Sequence, residues 1–427
     1  MDAPVRSHKS ALADPSEWST PALLTVVGAT VGMLIGPTSI IAPPIGLFMP
    51  AVSQEFGLGR AGFPLLMLMV SIFAGLCSPL AGRLIDRVGV RRVILPAVTL
   101  FGLAEIALSQ TKGSFAAFLF VFALTGILAG IQNPTAYTKL LALWFERRRG
   151  LMVSIACAVG SGGGGILIPQ LTQRLISAGG WQWGYAGLGI FILLGAPIVY
   201  LLLKEPRASV RKTASAPVAT DTELPGLSRG QAMKTRPFWT ILIAMAGVSA
   251  SLVALSVHVP AWIADAGGST SKAAAFLSLF AAGSVVSQVS SGILLDRINS
   301  PKVGALFFGL AFVGAFLLRG ATPDSNALLL YAFLIGTGLG AELGMACYFI
   351  SRYFGFRSYG EIYGSVYGTL VMASGLGPVL MGLAFEHFHV YLPTFNVAAG
   401  ILLVSTILIF LLPPYVFAVK RSPLLVD

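Results

Sequence analysis

Lys139 and Glu342 each stand inside a long run of apolar residues, where a charge is costly and is kept for a reason. A lysine so placed offers a point charge to an anion, and Gln132, Asn133, Tyr137 and Thr138 beside it add hydrogen-bonding groups. Glu342 is too far from either end of its run to reach water. An ionised carboxylate there is disfavoured unless paired or hydrated, which makes it a candidate proton carrier or a counter-ion for Lys139 or Arg352. Arg352, near the end of the same run, reads as a gate or a headgroup anchor. His258 joins the binding candidates, although a hydrogen-bonded histidine at the membrane interface explains it too. Tyr348 and Gln288 complete the candidate binding set, while Glu105 reads as a structural bond between helices.

This is the chemistry of charge recognition and proton carriage. The sequence carries no Ser/His/Asp set, no metal-ligand spacing and no ATP-binding loop, so we expect neither an enzyme nor a bound cofactor or metal. Gly160 to Gly165 satisfies a Gly-x-Gly-x-x-Gly pattern, but no strand precedes it; small residues at this density let helices pack closely. The three cysteines, Cys77, Cys157 and Cys347, lie within apolar runs and form no disulfide framework.

The elements that position these side chains follow from composition. Of 427 residues, 56% are hydrophobic and 11% charged, and the mean hydropathy is +0.83. Soluble domains carry about 25% charged residues. Each apolar run is continuous and does not alternate, which excludes a barrel and leaves a polytopic helical membrane protein. Spans are expected near 21–48, 64–84, 93–111, 114–144, 150–177 and 183–203, then 238–264, 272–294, 302–320, 326–353, 359–384 and 392–416. The domain plan is a tail over 1–20, a six-helix bundle over 21–203, a flexible linker over 204–236, a second bundle over 237–417 and a tail over 418–427.

The net charge of +11 sits in short clusters between spans, not along one face, which argues against nucleic acid. Placing both termini in the cytoplasm puts Arg60, Lys112, Arg174, Lys272 and Arg319 outside. Nearly all other basic residues, including Arg83, Arg87, Arg91, Arg92, Arg147, Arg148 and Arg149, then fall inside. We expect a multi-pass protein of the cell membrane, lipid as its surroundings and a monomer as its state.

The chain also repeats itself. Gly82-Arg83-Leu84-Ile85-Asp86-Arg87 recurs 210 positions on as Gly292-Ile293-Leu294-Leu295-Asp296-Arg297, and at the same offset Gly126, Gly130, Arg147 and Gly150 meet Gly336, Gly340, Arg357 and Gly360. Two six-span units joined by a polar linker are the parallel-repeat plan of a transporter. Gly82 permits close helix approach, Asp86 can face a helix N-terminus of the other half, and Arg87 can face a carboxylate. Together with Arg91, Asp296 and Arg297 these residues form a candidate conformational latch.

The stretch Gly82 to Arg92 resembles the loop 2–3 signature of the major facilitator superfamily, and the resemblance spans the whole chain. Trp144 to Gly150, the glycine-rich fifth span, Gly340-Ala341-Glu342 and Ser351 to Gly355 are similar to bacterial members of its monocarboxylate and oxalate/formate branch. The chain departs from the eukaryotic-type monocarboxylate group at Ser284 and Gln288 of span 8, where that group carries Asp and Arg, and lacks that group's lysine in span 1.

The resemblance implies twelve helices in two pseudo-symmetric bundles, with spans 1, 4, 7 and 10 lining a central cavity, in the inner membrane of a bacterium. It implies a secondary transporter of a small organic anion, a carboxylate, coupled to protons or exchanged for a counter-anion. On this reading Lys139 attracts the anion and Glu342, across the cavity from it, carries the proton. Efflux of a hydrophobic cation at Glu342 is the alternative within transport, and a sensor on a carrier fold is the alternative outside it. Lys139 in a lining span favours the anion, and signalling without flux would favour the sensor.

Overall fold

The structure is a computed structural model of the 427-residue chain and describes residues 18–58, 62–145, 148–205, 226–323 and 325–416. Residues 1–17 and 418–427 of the expected tails, residues 206–225 of the linker, Arg60, Glu146 and Arg147 lie outside the described residues.

Among the described residues twelve helical spans follow one another. Span 1 runs Thr20–Phe56, span 2 Gly62–Val88, span 3 Val90–Ser109 and span 4 Phe115–Trp144. The helical stretch Arg149–Leu202 folds back at Gly179 and Gly180, the latter at φ 78°, and so supplies both span 5 and span 6. Spans 7 and 8 are Arg236–Asp265 and Thr270–Ile298, and span 9 is the shorter Lys302–Leu318. Spans 10 to 12 are Ala327–Tyr353, Tyr359–Phe388 and Leu392–Phe410. Side-chain oxygens of Ser114 and Ser269 cap spans 4 and 8, and Asn299 ends span 8 in the left-handed region. Leucines such as Leu80, Leu194 and Leu380 are exposed on the outer surface, as lipid-facing positions require.

The two bundles differ in regularity. In the first, span 1 breaks after Leu34, resumes at Pro37–Ile40 and again at Ile45–Phe56. Span 4 breaks between Ile131 and Thr135 around Pro134, and span 5 loosens into a π-turn over Ala158–Gly162. Prolines explain the first two, because each removes a backbone donor. Span 1 was expected as one run, and its break at Gly36-Pro37 and Pro43-Pro44 is where the structure departs from that reading. The glycine run does permit close packing: Gly160 leaves no room for a Cβ against the Thr30 carbonyl, nor Gly164 against Ser39. In the second bundle spans 7, 8, 10 and 11 run unbroken.

Part of the expected flexible linker is ordered. Leu227 N–H donates to the Phe354 carbonyl at 2.8 Å, and Ser228 and Gln231 form a reciprocal capping box at a short helix, Arg229–Ala232. Ser-x-x-Gln within an apparently unstructured basic stretch was the missed signal.

The bundles meet along two seams, span 2 with span 11 and span 5 with span 8. Small residues line both. Gly75 and Gly368, Ser78 and Gly364, and Gly82 and Gly360 face each other so closely that a Cβ on any of these glycines would enter the opposing helix. Gly150 and Gly292 do the same at the second seam. These contacts run from mid-depth to the end that carries Arg83, Arg87, Arg91 and Arg297, here termed the arginine-rich end.

A valine at Gly82 must therefore push spans 2 and 11 apart. Overpacking of this kind costs about 1–3 kcal/mol, roughly a tenfold shift in population. In a background without native cysteines, cross-linking of the pair R83C/E361C should fall by about that factor in Gly82→Val while the protein stays monodisperse. Unchanged cross-linking would show that the seam is not a tight one.

Candidate functional site

Two carboxylates close the arginine-rich end. Asp86, on the last turns of span 2, accepts the N–H groups of Gly360 and Glu361, both at 2.9 Å, at the start of span 11. Asp296, its repeat equivalent on span 8, accepts those of Gly150 and Leu151, also at 2.9 Å, at the start of span 5. Each bond pair joins one bundle to the other through a helix N-terminus, whose free N–H groups and dipole favour an anion. Hydrogen bonds to charged groups contribute about 1.5–3 kcal/mol. The ion pair between Arg83 and Glu361, at 2.6 Å, has an Arg83 side chain 47% exposed and so falls in the range of about 0–1 kcal/mol. The carboxylates, not the ion pair, dominate this contact.

Each latch also has basic neighbours. Lys139 Nζ lies 2.7 Å from Asp86 Oδ1. Arg352 and Arg149 both lie within electrostatic range of Asp296. Arg149 donates to Ser351 Oγ at 3.0 Å across the seam and covers the Phe356 ring. Lys139, expected to attract the anion with Glu342 as a possible counter-ion, has its ammonium paired with Asp86 at this end. A partner 53 residues away in sequence is set by tertiary packing and not by the apolar run around the lysine.

The remaining latch candidates divide. Gly82 lies in the seam, as above. Arg87 and Arg297 are exposed and form no ion pair among the described residues; Arg83, one turn further in, takes the place expected for Arg87. Arg91 works within one bundle: its N–H donates to Glu205 Oε1 and its guanidinium to the Tyr200 carbonyl, each at 2.9 Å, tying span 3 to span 6.

Two other candidates are committed elsewhere. The Tyr348 hydroxyl stands 3.0 Å from both the Leu295 carbonyl and Asn299 Oδ1, with Arg352 over its ring, at the arginine-rich end. His258 Nε2 lies 2.9 Å from the Pro378 carbonyl and bonds span 7 to span 11. Gln288 is buried in the seam opposite Gly162, and Asn133 Nδ2 donates to the Gly130 carbonyl at 2.8 Å.

At mid-depth stands a second pair of repeat equivalents. Gln132 in span 4 and Glu342 in span 10 are 210 positions apart, the offset that relates Asp86 to Asp296. They lie 12 and 11 residues from the ends of their helices at Trp144 and Tyr353, about 18 and 17 Å at 1.5 Å per residue. Both are 1% exposed. Glu342 has Ser249 of span 7 as a side-chain partner, and its Oε1 is buried without a hydrogen bond among the described residues. The same offset pairs Gln132 with Glu342 in the sequence, but an uncharged amide in an apolar run does not stand out as a charge does.

A ladder of stacked rings links the two levels. Tyr359, Tyr363 and Tyr367 of span 11 stack at 5.7 and 6.2 Å, and Tyr359 donates to Cys347 Sγ. Thr138 is a side-chain partner of the first two hydroxyls, and Glu342 lies within electrostatic range of the third. The arrangement sets two carboxylates against helix N-termini at one end and a polar, carboxyl-bearing level above them.

Known proteins share this plan. A gallate transporter of Pseudomonas putida is 26% identical over 402 residues, covering 84% of this chain and 86% of that protein. The 4-hydroxybenzoate transporter PcaK of Pseudomonas putida is 28% identical over 324 residues, covering 68% of this chain and 70% of its own. Among solved structures, the E. coli fucose:proton symporter FucP shares the fold with a TM-score of 0.67 at 13% identity, over 92% of this chain and 98% of that one. Residues 22–340 and 277–424 match the Major Facilitator Superfamily. With twelve spans in two related bundles among the described residues and a family match over most of its length, the chain belongs to that superfamily of membrane transporters.

Proposed function

We propose that the protein is a secondary transporter that carries a small aromatic carboxylate across a bacterial inner membrane together with a proton. The arginine-rich end faces the cytoplasm on this reading, because basic loops stay inside. The closed latch then leaves the substrate route open to the outside.

The observation that carries the proposal is Glu342. It is buried at mid-depth in a span that lines the route in this fold, and among the described residues it forms no ion pair. A deprotonated Glu342 repels an incoming carboxylate, whereas a protonated one donates a hydrogen bond to it. Proton loading therefore precedes anion binding, and the loaded site is close to neutral, which suits movement through a low-dielectric interior. Lys139, Arg149 and Arg352 against Asp86 and Asp296 make the base of the route net positive among the described residues, which draws an anion inward. The names of the gallate and 4-hydroxybenzoate relatives support an aromatic acid as the class. Asp86 and Asp296 hold the inward end shut, and breaking their bonds to the facing helix N-termini opens it.

Proteoliposome uptake of labelled benzoate and 4-hydroxybenzoate, with and without an imposed pH difference, tests the reading. Wild-type protein should accumulate substrate when the outside is more acidic. Glu342→Gln mimics the protonated state, so it should bind with little pH dependence and exchange substrate, yet fail to accumulate it. Full pH-driven accumulation in Glu342→Gln would remove the proton from this residue.

A second prediction concerns the latch. Asp86→Asn weakens its two bonds to the start of span 11 and its pairing with Lys139, all far from the mid-depth level, so turnover should fall about tenfold while equilibrium binding changes less than about threefold. Equal losses in binding and turnover would contradict a purely conformational role.

A further inference from the structure

Gln132 is a buried polar side chain with the Tyr137 hydroxyl as its polar neighbour. It is 1% exposed, and neither Oε1 nor Nε2 completes a hydrogen bond among the described residues. The Tyr137 hydroxyl, beside the Gln132 amide, is equally buried and equally unsatisfied. Tyr137 cannot swing away freely, because its ring fills the place where a Cβ of Gly32 would be. Buried polar groups without partners are disfavoured, and they persist where something else completes them.

The backbone supplies an independent pointer. Span 4 breaks at Gln132 itself, span 1 breaks at Ile35–Gly36, and span 5 loosens at Ala158–Gly162. Gly160 packs on Thr30 and Met33, and Thr38 Oγ1 lies 3.1 Å from Ser161 Oγ, so the irregular stretches of spans 1 and 5 sit side by side. Gly163 and Gly165, next along span 5, face open space. Interrupted backbone within a membrane is tolerated where it lines a route or is buried in protein, and discontinuous helices mark substrate sites.

The chemistry at this position is neutral. A primary amide and a phenol offer donors and acceptors together but no charge. That suits a group that both donates and accepts, and it leaves the carboxylate to Glu342, the repeat equivalent in the other bundle. We infer that Gln132, with Tyr137, binds a hydroxyl on the ring of the substrate and so selects hydroxylated aromatic acids over the unsubstituted acid. The assignment rests on the carboxylate-carrier reading above and adds to it the feature that is recognised.

The test compares 4-hydroxybenzoate with benzoate, which differ only in that hydroxyl, in wild-type protein and in Gln132→Met, which keeps the length of the side chain and removes its hydrogen bonds. A site built around a substrate hydroxyl rejects the analogue that lacks it, so wild-type protein should prefer 4-hydroxybenzoate by about tenfold or more in kcat/KM. Gln132→Met should bring the two within about threefold of each other, chiefly through loss on 4-hydroxybenzoate, while benzoate uptake persists and shows that the variant is folded. Tyr137→Phe should narrow the preference in the same direction. An unchanged ratio in Gln132→Met, or equal loss of both compounds, overturns the assignment and leaves the carrier reading standing. Wild-type protein that carries neither compound overturns the carrier reading, and the assignment with it.

Discussion

A carboxylate accepting two backbone N–H groups at the start of a helix is the interaction on which this structure turns. It occurs twice, at Asp86 and Asp296, and each time donor and acceptor belong to different bundles. The geometry needs the helix ends to approach within hydrogen-bond distance, so the bonds exist only when this end is shut. Gly82, Gly150, Gly292 and Gly360 follow from that requirement, because any side chain would hold the backbones apart. The bonds are strong enough to define a state and few enough to be broken together, which is what a two-state element needs.

The halves obey the repeat at the latch and depart from it at mid-depth. Gln132 and Glu342 occupy equivalent places, yet one is a neutral amide at a helix break and the other a carboxyl in a continuous helix. The cations differ as well: Lys139 pairs with Asp86 directly, while Arg149 and Arg352 approach Asp296 from opposite bundles. A symmetric pair of contacts between the bundles thus stands beside an asymmetric interior. One half brings irregular backbone and neutral hydrogen-bonding groups, and the other a buried carboxyl with a tyrosine ladder.

Most of the architecture was legible in the sequence, because hydrocarbon thickness sets span length and the offset of 210 exposes the repeat. Asp86 and Asp296 were legible for the same reason. What escaped were facts about direction. The pairing of Lys139 with Asp86, the commitment of Tyr348 to Leu295 and Asn299, and that of His258 to Pro378 depend on which way side chains point after packing. Arg83, and not Arg87, meets Glu361 because the seam ends one turn before the helix does. Ser228 and Gln231 were readable as a capping box but lay within a basic, polar stretch, and composition outweighed the local pattern.

Distances across the arginine-rich end test the central claim most directly. Arg87 and Arg297 are exposed motif arginines on different bundles, suited to spin labels after replacement by cysteine. Double electron–electron resonance on protein in lipid nanodiscs should show a dominant short distance when Asp86 and Asp296 are intact. With both changed to Asn, the distribution should move to longer distances as this end opens. An unchanged distribution in the doubly substituted protein would contradict the account, because the two carboxylates would then not be what holds the bundles together.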